Sequence, residues 1–98
     1  MEKVAFGENF LSKRIWEGLA DIQRTVVSRV IVPDGMFIVV DVLDNSFVVT
    51  AYNLDYGWTM GNISIPLGDN RMSPELVGDI ADTVNIELVR LELKHGGL

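Results

Sequence analysis

Apolar positions follow three different rhythms along the chain. Leu11, Ile15, Leu19 and Ile22 recur at spacings of four, four and three, which places them on one stripe of an amphipathic helix. Asn9 stands where an N-cap is expected, and Lys13 and Glu17 form an i,i+4 pair. Gly18 inside this helix costs about 1 kcal/mol relative to alanine and predicts the close approach of another backbone. Trp16 falls off the stripe, either wrapped onto a sheet or exposed.

From Thr25 the rhythm changes. "TVVSRVIV" (25–32) is rich in β-branched residues and reads as a strand. Pro33-Asp34-Gly35 has the chemistry of a three-residue hairpin, with glycine at the left-handed position. "MFIVVDVL" (36–43) is the next strand, and Asp44-Asn45-Ser46 separates it from "FVVTAYNL" (47–54). The three runs predict an antiparallel meander. Along the middle strand, Met36, Ile38, Val40 and Val42 point one way. Phe37, Val39 and Leu43 point the other, interrupted by Asp41. Two apolar faces predict that both are covered, by two helices or by one helix and a second subunit.

"NISIP" (62–66) reads as a short fourth strand that Pro66 closes. Ser73-Pro74-Glu75 then starts a helix: serine as N-cap, proline at the first position and glutamate at the positive end of the dipole. Its apolar face is Leu76, Val77, Ile80 and Val84. "VRLELK" (89–94) alternates strictly, the pattern of a half-buried strand. A helix running through to Lys94 is the alternative, because 76, 80, 84, 88 and 91 also share a helical face. The resulting expectation is one α+β domain over residues 1–98, an antiparallel meander sheet flanked by two helices in the order α-β-β-β-β-α-β.

Composition supports a packed core, with 48% apolar and 22% charged residues. A chain of 98 residues buries about two-thirds of the surface that its unfolded form exposes, so a partner or a second copy matters to it. Together with the doubly apolar strand, this predicts a homodimer or a tight complex with another protein. The absence of cysteine excludes disulfides, thiolate metal sites and cysteine nucleophiles. The N-terminal residues lack an apolar signal core and "MFIVV" is far too short to span a bilayer. A cytoplasmic protein with no membrane association is expected.

The net charge of −6 is unevenly placed. Residues 1–30 carry +1, residues 71–98 carry −2, and residues 31–70 carry −5, with Asp34, Asp41, Asp44, Asp55 and Asp69 and no lysine or arginine. A cation-free block disfavours direct nucleic-acid binding. It either attracts a basic protein and speeds encounter, or keeps an apolar sheet soluble.

Candidate chemistry is sparse. The single histidine, His95, lies near the C-terminus, and no nucleophile–base pair accompanies it, so no catalytic residue is assigned and no enzyme is expected. "DVLDN" (41–45) lacks the alternating oxygen ligands and glycine of a calcium loop; no metal or cofactor is expected. There, Asp44 and Asn45 suit a turn, and Asp41 marks a wet patch or a strand edge. The scattered Gly57, Gly61 and Gly68 belong to no phosphate-binding pattern.

"YNLDYGWTMGN" (52–62) holds both tyrosines and one of the two tryptophans, with Asp55 as its sole charge. Two readings fit. As a recognition loop, Tyr52, Tyr56 and Trp58 supply contact area with few rotors, the glycines permit unusual backbone angles, and Asp55 meets a cation on the partner. Alternatively, Trp58 and Met60 return to the core and the glycines only turn the chain. The candidate partner-binding set is Tyr52, Asp55, Tyr56 and Trp58, with Asp41 and Asp44.

"LVRLELKHGGL" (88–98) has an alternating strand pattern, a basic residue and a Gly-Gly pair before a short extension. It resembles the end of ubiquitin-like modifiers. The resemblance covers about 11 of 98 residues and implies Gly97 as the conjugated end once Leu98 is removed. That family's fold begins with a β-hairpin followed by a helix, and this chain departs from it with a helix followed by a meander. Three functions are thus expected in turn: a small acidic module of inhibitor, immunity or chaperone type that masks a basic surface, including by nucleic-acid mimicry; a modifier; or a self-assembling structural component.

Overall fold

The computed structural model describes residues 3–12, 19–44, 46–66 and 74–95. The elements are β1 (Val4–Phe6), α1 (Glu8–Ser12), α2 (Leu19–Arg29), β2 (Met36–Leu43), β3 (Ser46–Asn53), β4 (Thr59–Pro66) and α3 (Pro74–Lys94). The class is α+β, but the order is β-α-α-β-β-β-α. The sheet runs β1-β2-β3-β4. β2, β3 and β4 form the antiparallel meander, while β1 lies parallel to β2. The sheet is therefore mixed rather than purely antiparallel.

The meander follows its turn residues. Leu43 pairs with Ser46 across Asp44 and Asn45, and Asp44 takes φ 49°. Tight hairpins need positive φ, and aspartate tolerates it better than most residues. Pro33-Asp34-Gly35 does form a turn, closed by the Met36 amide donating to the Pro33 carbonyl at 3.2 Å, with Gly35 at φ 81°. It leads into β2 from an extended segment and not from a strand, so it is not a hairpin.

The strand expected at 25–32 is instead the end of α2 followed by irregular chain from Val30. β-branched residues lower helix propensity by only tenths of a kcal/mol each. Val26 and Val30, four apart, are both buried in the core, which outweighs that preference. The end of α2 is then fastened by Asn85 of α3. Its Nδ2 donates to the Arg29 carbonyl at 3.0 Å, and its Oδ1 accepts the Ile31 amide at 2.7 Å. Asn85→Ala should lower the unfolding free energy by about 1 kcal/mol, read as a shifted urea midpoint with an unchanged slope.

The strand expected at 89–94 is also helical. α3 runs unbroken to Lys94 with Val77, Ile80, Ala81, Val84 and Leu88 buried and Leu91 packed beside them. The strict alternation of 89–94 arises because Val89 and Leu93 are exposed. Leu91 sits directly over Gly61 of β4, where an added Cβ would lie 2.7 Å from its Cδ2; this is the close approach that glycine permits. The fourth strand is longer than "NISIP" and carries a register shift opposite Ala51 and Tyr52. The first expected helix appears as α1 and α2. Residues 13–18, with Ile15, Trp16, Gly18 and the Lys13–Glu17 pair, lie outside the described residues, as do Ser73 and the Gly-Gly tail.

All the buried apolar helix residues described gather on one side of the sheet. Phe10, Val26, Val77, Ile80, Ala81, Val84 and Leu88 pack with Met36, Ile38, Val40, Val42, Phe47, Val49 and Ala51 in a single cluster. Phe10 stacks near Phe6 at 4.9 Å and meets Phe47 edge-on at 6.4 Å between centroids. The expectation that both sheet faces are covered is not met among the described residues. Ala5, Phe37, Val39, Leu43, Val48, Thr50 and Tyr52 form the other face, and none belongs to the core cluster.

At the start of β1, Lys3 pairs with Asp34 at 2.8 Å. The hydrogen bond from Lys3, reinforced by its charge, holds the Asp34 carboxyl below its ordinary value. A depressed carboxyl stabilises the fold above its unfolded pKa, and the contribution disappears as pH falls through the folded value. Wild type should therefore melt slightly higher than Asp34→Asn at neutral pH. The two should converge as the pH drops below about 3.9, the ordinary aspartate value.

Candidate functional site

The β3–β4 connection holds the ring-rich stretch. Asn53, at the end of β3, is the buried polar residue of the described set, 5% exposed. Its Oδ1 accepts the amides of Asp55 and Tyr56, each at 2.9 Å. Its amide donates to the Trp58 carbonyl and its carbonyl accepts the Gly57 amide, both at 2.8 Å. Gly57 takes φ 76° with nothing near its missing Cβ; substitution there is limited by backbone conformation and not by space. The Leu54 amide donates to the Gly35 carbonyl at 2.8 Å, tying the loop to the turn before β2. The loop is thus hydrogen-bonded from inside by asparagine, a residue whose side chain commonly closes such turns.

This framework leaves the rings outside. Tyr56 is 78% and Trp58 is 58% exposed, with their centroids 5.4 Å apart. Asp55, directly before Tyr56 in the chain, is exposed as well. Met60 does return to the core. The alternative that placed Trp58 there as well does not hold, because a residue more than half exposed fills no core space.

Beside the loop, Phe37 and Tyr52 lie across from each other on β2 and β3, 6.1 Å between centroids. A shallow groove of about 290 Å³ runs between Phe37, Val39, Tyr52, Asn53, Leu54 and Gly57. It lies between this second sheet face, which no described helix covers, and the ring loop. Tyr52, Asp55, Tyr56 and Trp58 therefore fall at one end of the sheet, as expected together. Phe37, Leu54 and Asn53 were not anticipated there. The alternation of 36–43 carried the signal for Phe37; Leu54 and Asn53 depend on how the loop closes.

Asp41 and Asp44 are not part of this cluster. Asp44 occupies the opposite hairpin, about 20 Å away along the strands. Asp41 turns its carboxylate to the start of α1. It accepts from the Phe10 amide at 2.7 Å, from Asn9 Nδ2 at 3.3 Å and from the Val42 amide at 2.8 Å. A carboxylate at a helix N-terminus meets unpaired amides and the positive end of the dipole, so Asp41 caps α1 from β2. Asn9, expected as the N-cap, is inside α1 instead.

His95 is held at the end of α3, where its Nε2 lies 3.2 Å from the Met60 carbonyl. Among the described residues, no group of three or more His, Asp or Glu is placed to hold a metal. No described helix is long and apolar enough to cross a membrane. The chain matches no family model, no curated protein and no solved structure.

Proposed function

We propose that the chain is a protein-binding module that receives its partner on the sheet face that no described helix covers and on the adjoining ring loop. The observation that carries this reading is the union of three features at one end of the sheet: an apolar face outside the core cluster, a groove between Phe37 and Tyr52, and two exposed rings on a hydrogen-bonded loop. Tyrosine and tryptophan in such settings dominate binding energy at interfaces. Apolar surface left outside a core is where interaction sites are found.

Charge selects the partner. Residues 31–70 hold no lysine or arginine, and Asp55 stands at the loop. The complementary surface is apolar at its centre with lysine or arginine at its rim, on a basic protein. The stretch 52–62 holds Asp55 and no lysine or arginine to meet it in a second copy, so the partner is a different chain. Inhibition or masking of that basic surface is the corresponding activity.

The modifier reading rested on a final strand leading to the Gly-Gly pair. Residues 88–94 are helical, which removes that support.

The test is capture from an extract of the native host on immobilised wild type, Trp58→Ala and Tyr56→Ala. A stoichiometric basic protein retained by wild type, eluted by salt and lost from both variants supports the reading. Equal retention by all three overturns it, and so does a wild-type protein that sediments as a dimer through this face.

A further inference from the structure

β1 is an edge strand, and no described strand pairs with its outer side. The Lys3 carbonyl accepts the Ile38 amide at 2.9 Å and the Gly7 amide donates to the Val40 carbonyl at 2.7 Å. In a parallel ladder, alternate residues direct both backbone groups to the same neighbour. Lys3, Ala5 and Gly7 thus serve β2, while Val4 and Phe6 turn their N–H and C=O groups away from the sheet. Among the described residues, none of these four groups has a hydrogen-bond partner.

Alongside this edge, a groove of about 490 Å³ separates β1 from α2 and the segment after it. Among the described residues, it is lined by Lys3, Val4, Ala5, Phe6, Val27, Val30 and Val32. Val27 is 57% exposed there, an apolar side chain that no described residue buries. The single charge in the lining, Lys3, is already matched by Asp34 at 2.8 Å. The other edge of the sheet is different. β4 ends in Pro66, which offers no N–H, and the Met60 carbonyl is taken by His95. Proline at an edge is one of the devices that discourage strand addition; β1 has no proline, and its restraints are its length of 3 residues and the neighbouring Lys3, whose charge is engaged by Asp34.

We propose that β1 accepts an extended, uncharged, apolar segment of a partner polypeptide. The backbone of the segment pairs with the outward groups of Val4 and Phe6, and alternate side chains seat between Phe6, Val27 and Val30. Main-chain bonds give affinity in strand addition, and pockets for alternate side chains give selectivity. The free backbone groups call for an extended chain, and the neutral lining calls for apolar side chains. This surface is distinct from the ring loop and does not depend on its role.

A random dodecapeptide library displayed on phage tests it, with the enriched peptides then synthesised. Two variants poison the edge. Val4→Pro removes an outward N–H that β2 does not use, and Val27→Asp charges the groove at an exposed helix position, where folding is least at risk. The expected peptides carry apolar residues at alternate positions. They should slow amide exchange at Val4 and Phe6 at least tenfold. They should bind Val4→Pro and Val27→Asp at least tenfold more weakly than wild type, and bind Trp58→Ala normally. N-methylation of the peptide backbone should abolish binding. The proposal is overturned if no peptide is enriched, or if enriched peptides bind both edge variants like wild type. It is also overturned if the Val4 and Phe6 amides are already protected in a peptide-free dimer, which would assign the edge to a second copy.

Discussion

Trp58→Ala and Tyr56→Ala should each weaken partner binding by about 2 kcal/mol or more, roughly thirtyfold, while leaving the urea midpoint close to wild type. The two halves of this expectation have separate causes. Folding is spared because both rings are largely exposed, and the backbone bonds that shape the loop come from Asn53, Gly57 and Leu54, not from the rings. Affinity is lost because large rigid rings desolvate on binding with little rotamer cost. Asp55→Asn should act differently. Its charge sits at the rim, so the association rate and its salt dependence should fall while dissociation changes little. The deciding measurement pairs a urea midpoint with a dissociation constant for each variant. A loss of about 3–5 kcal/mol in stability for Trp58→Ala, the cost of emptying a core site, with unchanged affinity of the folded fraction, would show the ring to be structural.

Asn53→Ala should produce the opposite division of effects. Its Oδ1 is the acceptor for two successive amides, those of Asp55 and Tyr56. Removing it strands both donors in a partly buried place, at about 2–3 kcal/mol in total. The loop then loses the restraint that keeps Tyr56 and Trp58 beside the groove, so affinity falls along with stability. Asn53→Asp preserves an acceptor oxygen and should recover most of the midpoint. A wild-type midpoint for Asn53→Ala would mean that the loop is held by Gly57 and Leu54 alone.

The neighbouring Gly57 and Gly35 illustrate how far local chemistry could be read from residue types. Both take positive φ, where glycine avoids the steric cost that other residues meet. Asp44 in the tight hairpin followed the same logic. The ring loop was recognisable as a candidate because its composition suits neither a buried strand nor a plain turn. Its exposure was not recognisable, since eight aromatic-sized residues spread along a small chain could equally have been core.

By itself, the sequence determined the elements whose signals are local. The β2–β3 hairpin follows from alternation bounded by turn residues, although the expected meander began one strand too early, at 25–32, and the start of α3 follows from proline and glutamate in its first turn. The cation-free acidic block and the absence of thiol chemistry are likewise fixed by residue identity. Only the tertiary structure decided the rest. "TVVSRVIV" has the composition of a strand and ends a helix, because burying Val26 and Val30 and capping through Asn85 exceed a propensity difference of tenths of a kcal/mol. "VRLELK" alternates like a strand and is helical, because Leu88 and Leu91 continue a face that begins at Val77. β1 is three residues long, too short for any period, and exists because β2 supplies its ladder from more than thirty positions away. Asp41 suggested a wet patch, a strand edge or a partner contact, yet its role depends on a helix end that only folding brings to it. Local chemistry is written in neighbouring residues; which faces meet is settled by burial summed over the whole chain, and no short window contains that sum.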